Sequence, residues 1–124
     1  MSDKNNILED FSHYRNSGIA LSVTLISLSS ALIIWGNEII GIEKPLSSLL
    51  GVSLIISSAI TIFLCLSIQI FHYIGYKIQA RAGIGQTNRN PNCWFTSEDW
   101  AFGIAIVNFI ISVIISAVIF KLFI

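Results

Sequence analysis

Charged residues are scarce in this 124-residue chain, and they are missing altogether from three long stretches. Asp, Glu, Lys and Arg together make up 11% of the sequence, less than half of the roughly 25% found in ordinary soluble domains. None of them occurs in residues 18–36, 46–74 or 100–120. Each stretch is close to the roughly 20 apolar residues that a helix needs to cross the hydrocarbon core of a bilayer. The sequence therefore predicts an integral membrane protein, with the lipid bilayer as its surroundings.

The lack of a basic patch and of known site motifs argues against several classes of function. Seven Lys and Arg balance seven Asp and Glu, so no basic patch of the size that phosphate binding requires is present, and no nucleic-acid partner is expected. The two cysteines, Cys65 and Cys93, lie at different predicted depths and do not form a C-x-x-C metal motif. No nucleotide-binding or hydrolase motif occurs either. We therefore expect no catalytic site, no metal site and no enzyme activity.

The arrangement of the apolar stretches predicts an all-α fold. We expect three transmembrane helices in an antiparallel, up-down-up bundle at residues 18–124, with spans of about 18–36, 46–74 and 100–120. Residues 1–17 are polar with apolar positions at three- and four-residue steps, which fits either a short amphipathic helix on the membrane surface or a frayed terminus. Before the third span, Thr96 followed by Glu98 and Asp99 predicts a helix start with a hydroxyl cap.

The distribution of basic residues predicts the orientation. With three spans, the N-terminus and the 75–99 connection share one side of the membrane. Five basic residues lie on that side and two on the other: Lys4, Arg15, Lys77, Arg81 and Arg89 against Lys44 and Lys121. The positive-inside rule places the N-terminus inside and the C-terminus outside, in a bacterial inner membrane or an organellar inner membrane.

Small polar residues recur inside the predicted spans. On the second span they occur every four residues, and a shorter series follows on the third. The two series are Ser53, Ser57, Thr61, Cys65 and Gln69, and Asn108, Ser112 and Ser116. Such stripes are typical of seams where helices pack closely and form hydrogen bonds across the contact. They also fit a polar path for water or ions through an oligomer, although no charged residue lies in mid-membrane, as a proton-coupled transporter would require.

Two segments resemble the membrane-anchor subunits of succinate dehydrogenase. Asp10–Gly18 (DFSHYRNSG) is similar to the entry to the first helix of those subunits, and Phe71–Lys77 (FHYIGYK) is similar to the haem-ligand region of their second helix. The size, helix count and predicted orientation also fit. The resemblance implies that His72 is a ligand of haem b and that Arg15 helps to form a quinone site.

Three functions are consistent with the sequence. The first is a small multi-pass protein without a catalytic site, which associates through its helices with other membrane-protein subunits or with itself, as an accessory, immunity-type or complex subunit. The second is a haem- or quinone-binding membrane anchor of a respiratory complex, the only one of the three that needs a cofactor. The third is a pore-forming oligomer.

Overall fold

The described part of the chain consists of three long helices. A computed structural model describes residues 2–86 and 89–124, with the side chains of residues 2–15 outside the described part. The helices are α1 (Ser2–Ile40), α2 (Ser47–Gly83) and α3 (Asn92–Phe123). No strand occurs in the described ranges. All three helices contain a segment long and apolar enough to cross a membrane, which confirms the prediction of an all-α membrane fold.

The helices are longer than the predicted spans, and the predicted start of the third helix at Thr96 is wrong. Helix α1 continues past Gly36 to Ile40, because Gly36 is a packing position against α2 and not a stop. Helix α3 begins at Asn92, so Thr96 is not its cap. Pro91 precedes the first helical residue instead. The residues that follow pack on α2, and this packing extends α3 before residue 100.

The polar segment at the start of the chain belongs to α1. Its backbone is helical from Ser2 and continues into the apolar span without a break. The described span of membrane-crossing length in this helix begins at Asn16. The expectation that residues 1–17 lie on a membrane surface depends on side chains outside the described residues, so it stays a prediction.

Small residues at seven-residue intervals bring α1 and α2 together. On α1 they are Ser22, Ser29 and Gly36, and on α2 they are Gly51, Ser58 and Cys65, all of them buried. A Cβ atom added at Gly51 would lie 2.8 Å from the carbonyl oxygen of Gly36 and 2.6 Å from Cγ1 of Ile40. A seven-residue repeat keeps one face of a helix against its neighbour in a gently supercoiled pair. The backbones of α1 and α2 therefore approach closely along a continuous seam.

Two apolar clusters occupy opposite ends of the bundle. The cluster nearer the α2–α3 connection contains Leu25, Cys65, Ile68, Ala101 and Ala105. The cluster nearer the α1–α2 turn contains Ile39, Leu54 and Ile119. The buried polar residues between them are Ser29, Ser57, Ser58, Thr61 and Ser112. The described bundle thus has a polar middle layer between two apolar cores.

The turn between α1 and α2 is tight and holds one residue in an unusual conformation. Leu46 has a φ of 69°, in the left-handed region, which costs about 1–2 kcal/mol for a residue with a Cβ atom. The next residue stabilises the turn, because Ser47 Oγ lies 2.5 Å from the carbonyl oxygen of Ile42 and 2.8 Å from that of Lys44. The side chain of Leu46 is exposed, so it contributes little packing in return.

Candidate functional site

A cluster of hydroxyls and one amide joins α2 to α3 in the middle of the bundle. We call Ser57, Thr61, Asn108 and Ser112 the hydroxyl–amide cluster. Asn108 Nδ2 donates to the carbonyl oxygen of Ser57 at 2.6 Å and to Thr61 Oγ1 at 2.7 Å. The hydroxyls of Ser57 and Ser112 lie 2.5 Å apart. Four of the eight residues predicted from the polar stripes are therefore brought together in one contact.

The chemistry of this cluster is that of a helix contact. Both amide hydrogens of Asn108 have acceptors on α2, so the donors of this side chain are satisfied without water. None of the four side chains titrates near neutral pH. The cluster can align α2 with α3, but it offers neither a general base nor an activated nucleophile.

The other stripe residues do not join this cluster. The Ser53 hydroxyl donates to the carbonyl oxygen of Leu49 at 2.8 Å, and the Ser116 hydroxyl donates to that of Ser112 at 2.9 Å. Cys65 lies in an apolar cluster, and Gln69 lines a groove on the outside of α2. A four-residue step turns a helix by about 400°, so a series at this spacing drifts about 40° around the axis at each step. The five residues on α2 therefore do not share one face.

The apolar clusters bear on the predicted path for water or ions. Both flank the hydroxyl–amide cluster, and their central residues Leu54, Cys65 and Ile119 are fully buried. A polar path would have to pass these side chains to leave the middle of the described bundle at either end. The prediction of a pore therefore requires a path between several copies of the chain.

The seam between α1 and α2 contains buried hydroxyls that, unlike those of the hydroxyl–amide cluster, do not bond across the contact. The hydroxyls of Ser29 and Ser58 are fully buried and have no hydrogen-bond partner in the described part of the chain. The Ser22 hydroxyl is also buried, but it donates to the carbonyl oxygen of Ile19 in its own helix at 2.7 Å. Among the residues whose side chains are described, the α1–α2 seam is thus held by close backbone packing and not by hydrogen bonds between the helices.

A second polar contact between α2 and α3 pairs His72 with Glu98. The Nδ1 of His72 lies 3.0 Å from Oε1 of Glu98, with side chains 21% and 6% exposed. The ring of Tyr76 packs on the imidazole at a centroid distance of 4.6 Å and on the ring of Phe95 at 5.0 Å. This group lies close to the end of the bundle that carries the α2–α3 connection. It is the site where the described residues bring an imidazole and a carboxylate together.

Sequence reasoning assigned His72 to this end of the bundle but missed its partner. Glu98 was interpreted as part of a helix start, whereas it lies within α3 and is buried. One signal could have identified it. Glu98 precedes Ser112, a member of the predicted polar stripe, by two seven-residue intervals, with Ala105 between them. A carboxylate in that series lies on the packed face of α3, where it requires a partner.

The two residues implied by the family resemblance are only partly described. His72 occupies the position given above, on α2. The side chain of Arg15 lies outside the described residues, so its predicted contact with a quinone stays a prediction. Among the described residues, no group of three or more His, Cys, Asp and Glu side chains is arranged to hold a metal ion.

A groove on the outer face of α3 completes the candidate sites. Asp99, Trp100, Gly103, Ile104 and Val107 line it, and its volume is about 500 Å³. Nothing lies within 4 Å of the position that a Cβ atom would take at Gly103. The groove is open and, apart from Asp99, apolar, so it can accept an apolar side chain or an acyl chain.

Comparisons with known proteins add no assignment to these sites. No family model matches the chain. No curated protein and no solved structure is significantly similar to it. The function must therefore be argued from the arrangement of the residues themselves.

Proposed function

We propose that this small membrane protein is a non-enzymatic subunit that acts by associating through its helices with another membrane protein. One observation carries the proposal. Six of the eight predicted polar-stripe residues form hydrogen bonds within the bundle, while the outside is an apolar surface with shallow grooves. We therefore propose that such a protein functions through its contact surface and not through a reaction centre.

The inside of the bundle supports the first half of this argument. The amide of Asn108 and the hydroxyls of Ser57, Thr61 and Ser112 bond to each other across the α2–α3 contact. In a membrane, where no hydrophobic driving force acts between helices, such bonds and close packing are the interactions that hold helices together. These residues have a sufficient role in building the bundle, so they need no second role in chemistry.

The outside of the bundle supports the second half. Each helix exposes one or more small residues among large apolar ones: Ala31 on α1, Ala59 on α2, and Gly103 on α3. Small residues on a lipid-facing surface allow a neighbouring helix to approach closely. The large exposed residues beside Gly103, such as Trp100 and Ile104, are 70% and 51% exposed, and they would be covered by a docked helix.

The proposal is tested by leucine substitutions on the outer surface of the bundle. The variants are Ala31→Leu, Ala59→Leu and Gly103→Leu, one on each helix. Each protein is purified in mild detergent from the native membrane, and the co-purifying proteins are identified and quantified. We expect the wild-type protein to retain a different membrane protein in a fixed ratio, and at least one of the three variants to lose it.

Two controls separate a lost contact from a damaged bundle. The thermal unfolding of each variant, followed by circular dichroism, should match that of the wild type because the substituted positions are exposed. Val113→Leu, at another exposed position on α3, enlarges a side chain that is already large and should retain the partner. If neither the wild type nor any variant retains another membrane protein, the proposal is wrong.

One observation favours a second candidate, a haem-binding anchor. A carboxylate that bonds one ring nitrogen of a histidine is a common support for a histidine that binds a metal through its other nitrogen. The Glu98–His72 contact has this form, so His72 is the residue that fits an axial ligand of haem b. Haem would supply electron transfer, while Glu98 would fix the orientation of the ring.

The absorption spectrum of the complex purified from its native membrane tests this second candidate. The anchor hypothesis expects a Soret band that disappears in His72→Ala and shifts or weakens in Glu98→Gln. A colourless wild-type complex that still contains its partner proteins would leave the subunit proposal intact and would rule out the haem hypothesis.

A further inference from the structure

Gln69 is an amide on the outer face of α2 without a hydrogen-bond partner in the described part of the chain. It is half-buried and lines an apolar groove with Leu66, Ile70, Tyr73 and Ile74. Hydroxyls that face outward on the same helix are satisfied locally, as Ser67 shows by donating to the carbonyl oxygen of Phe63 at 3.0 Å. Gln69 therefore differs from the other polar residues of this surface.

The position of Gln69 along α2 makes an amide without a hydrogen-bond partner unfavourable in a membrane. It lies within the uncharged run of residues 46–74, and the first charged residue beyond it on α2 is Lys77. Lys77 lies eight positions further along the helix, about 12 Å along the axis. In the hydrocarbon region no water is present to hydrogen-bond the amide, so an unbonded amide is strongly disfavoured there. The amide therefore points to a partner outside the chain.

We propose that this partner is Gln69 of a second copy of the chain, so that α2 forms a symmetric dimer contact. An amide carries both a donor and an acceptor, and two amides facing each other can form two reciprocal hydrogen bonds. In a two-fold dimer with its axis along the membrane normal, the same residue of both copies lies at the same depth. A second copy thus supplies an amide that can both donate and accept, at the same membrane depth as Gln69.

The surroundings of Gln69 fit such a contact. Leu66, Ile70 and Tyr73 are 48%, 56% and 66% exposed, and they surround the amide with apolar surface that a second α2 would cover. Their three- and four-residue spacing is that of a helix face which packs on another helix. Covering these side chains would also exclude lipid and competing polar groups from the pair of amides.

This inference goes beyond the proposed function by adding a second contact, between two copies of the chain, and it shares the premise that the outer surface of the bundle is where contacts form. It assigns the α2 face to self-association and leaves the α3 groove around Gly103 free for a different protein. The two contacts can therefore be tested separately.

The test measures dimerisation of the full chain in phosphatidylcholine vesicles, by energy transfer between labelled copies at a series of lipid dilutions. Gln69→Leu should lower the association constant about ten-fold, as expected for the loss of two hydrogen bonds between helices in a membrane. Gln69→Asn, which keeps the amide on a shorter side chain, should recover part of the loss. Ser67→Ala, which removes a neighbouring hydroxyl that bonds its own helix, should leave the association constant unchanged.

Cross-linking in the same vesicles locates the contact. In a background carrying Cys65→Ala and Cys93→Ser, Ile70→Cys should form a disulfide-linked dimer upon mild oxidation. The matched control, Ile104→Cys on the outer face of α3, should cross-link much less. Circular dichroism of each variant checks that the helices remain folded.

Three outcomes would overturn the inference. These are a monomeric wild-type protein in vesicles, a dimer that Gln69→Leu does not weaken, and equal cross-linking at the two cysteine positions. None of them depends on another protein. If the chain does not dimerise in vesicles but retains a different membrane protein in native membranes, the self-association is refuted and the proposed function stands. If the chain dimerises but retains no other membrane protein, the self-association stands and the proposed function is refuted.

Discussion

The two seams of this bundle are built on different principles. Between α1 and α2, glycines and serines let the backbones approach so closely that a Cβ atom at Gly51 would lie 2.8 Å from a carbonyl oxygen of α1. Between α2 and α3, the amide of Asn108 and three hydroxyls form hydrogen bonds across the contact. The first seam contains two buried hydroxyls, those of Ser29 and Ser58, that have no partner among the described residues, whereas the four polar side chains of the second seam bond to one another.

This difference shows that the same residue type can have opposite roles on neighbouring faces of one helix. Ser57 and Ser58 are adjacent in the chain and both are buried. Ser57 bonds to α3, whereas Ser58 has no partner in the described residues. The first contributes a hydrogen bond, while the second contributes its small volume. Mutations should therefore affect the two seams in distinct ways.

The largest effect is expected from enlarging a glycine in the α1–α2 seam. Gly51→Val should lower the free energy of unfolding by about 2–3 kcal/mol, because the added atoms would clash with the backbone of α1. Reversible unfolding in mixed micelles, followed by circular dichroism, measures this change.

A glycine on the outer surface provides the control for that prediction. Gly103→Ala places a methyl group where nothing lies within 4 Å, and alanine favours helix more than glycine does by about 1 kcal/mol. We expect unchanged or slightly increased stability. Equal losses at Gly51 and Gly103 would mean that the close approach of α1 and α2 does not stabilise the bundle.

The second prediction concerns a substitution that removes hydrogen bonds from the α2–α3 seam. Asn108→Leu should reduce the free energy of unfolding by about 1–2 kcal/mol, since it removes two hydrogen bonds across the α2–α3 contact, one to the carbonyl oxygen of Ser57 and one to Thr61 Oγ1. In a double-mutant cycle with Thr61→Val, the coupling energy should be about 0.6 kcal/mol, the average for such pairs in membranes. A coupling energy of zero would show that the two side chains do not bond.

The third prediction compares the adjacent serines directly. Ser57→Ala should cost about 0.6 kcal/mol, because it removes a hydrogen bond between helices. Ser58→Ala should leave the stability unchanged or raise it by up to about 1 kcal/mol, since it removes a buried hydroxyl that has no partner. Both variants lose one oxygen atom from the same helix, so each serves as the control for the other. A larger loss at Ser58 than at Ser57 would reverse the assignment of the two seams.

The smallest effect is expected at the turn that begins the α1–α2 seam. Leu46→Gly should raise the free energy of unfolding by about 0.5 kcal/mol, because relief of the left-handed conformation exceeds the entropic cost of glycine. The same unfolding measurement detects it, and Leu46→Ala, which keeps the Cβ atom, is the control and should show no gain. Equal stability of the glycine and alanine variants would mean that the turn stores no strain.

The fold could be predicted from the sequence because lipid imposes strong constraints. Uncharged runs of about 20 residues can be little other than membrane helices, and all three are present in the structure. The helix ends were less predictable. Trp35 and Gly36 are typical of a span end, yet Gly36 is buried against α2, and the helix continues because packing there favours it.

The candidate site was predictable only in part. A stripe at four-residue spacing identified Ser57, Thr61, Asn108 and Ser112, but it could not show that Gln69 faces outward, because that depends on the register of α2 against its neighbours. The pairing of His72 with Glu98 depends on where α3 begins, and the apparent cap at Thr96 pointed to a later start. Contacts between helices are set by tertiary packing, which local patterns do not specify.

One measurement tests most directly the claim that this protein acts by associating with a different membrane protein. The tagged protein is purified in mild detergent from its native membrane, and the mass and protein composition of the complex are determined. We predict a discrete complex that contains a different membrane protein in a fixed ratio. A protein that purifies without any other membrane protein, as a monomer or with copies of itself alone, would contradict the claim.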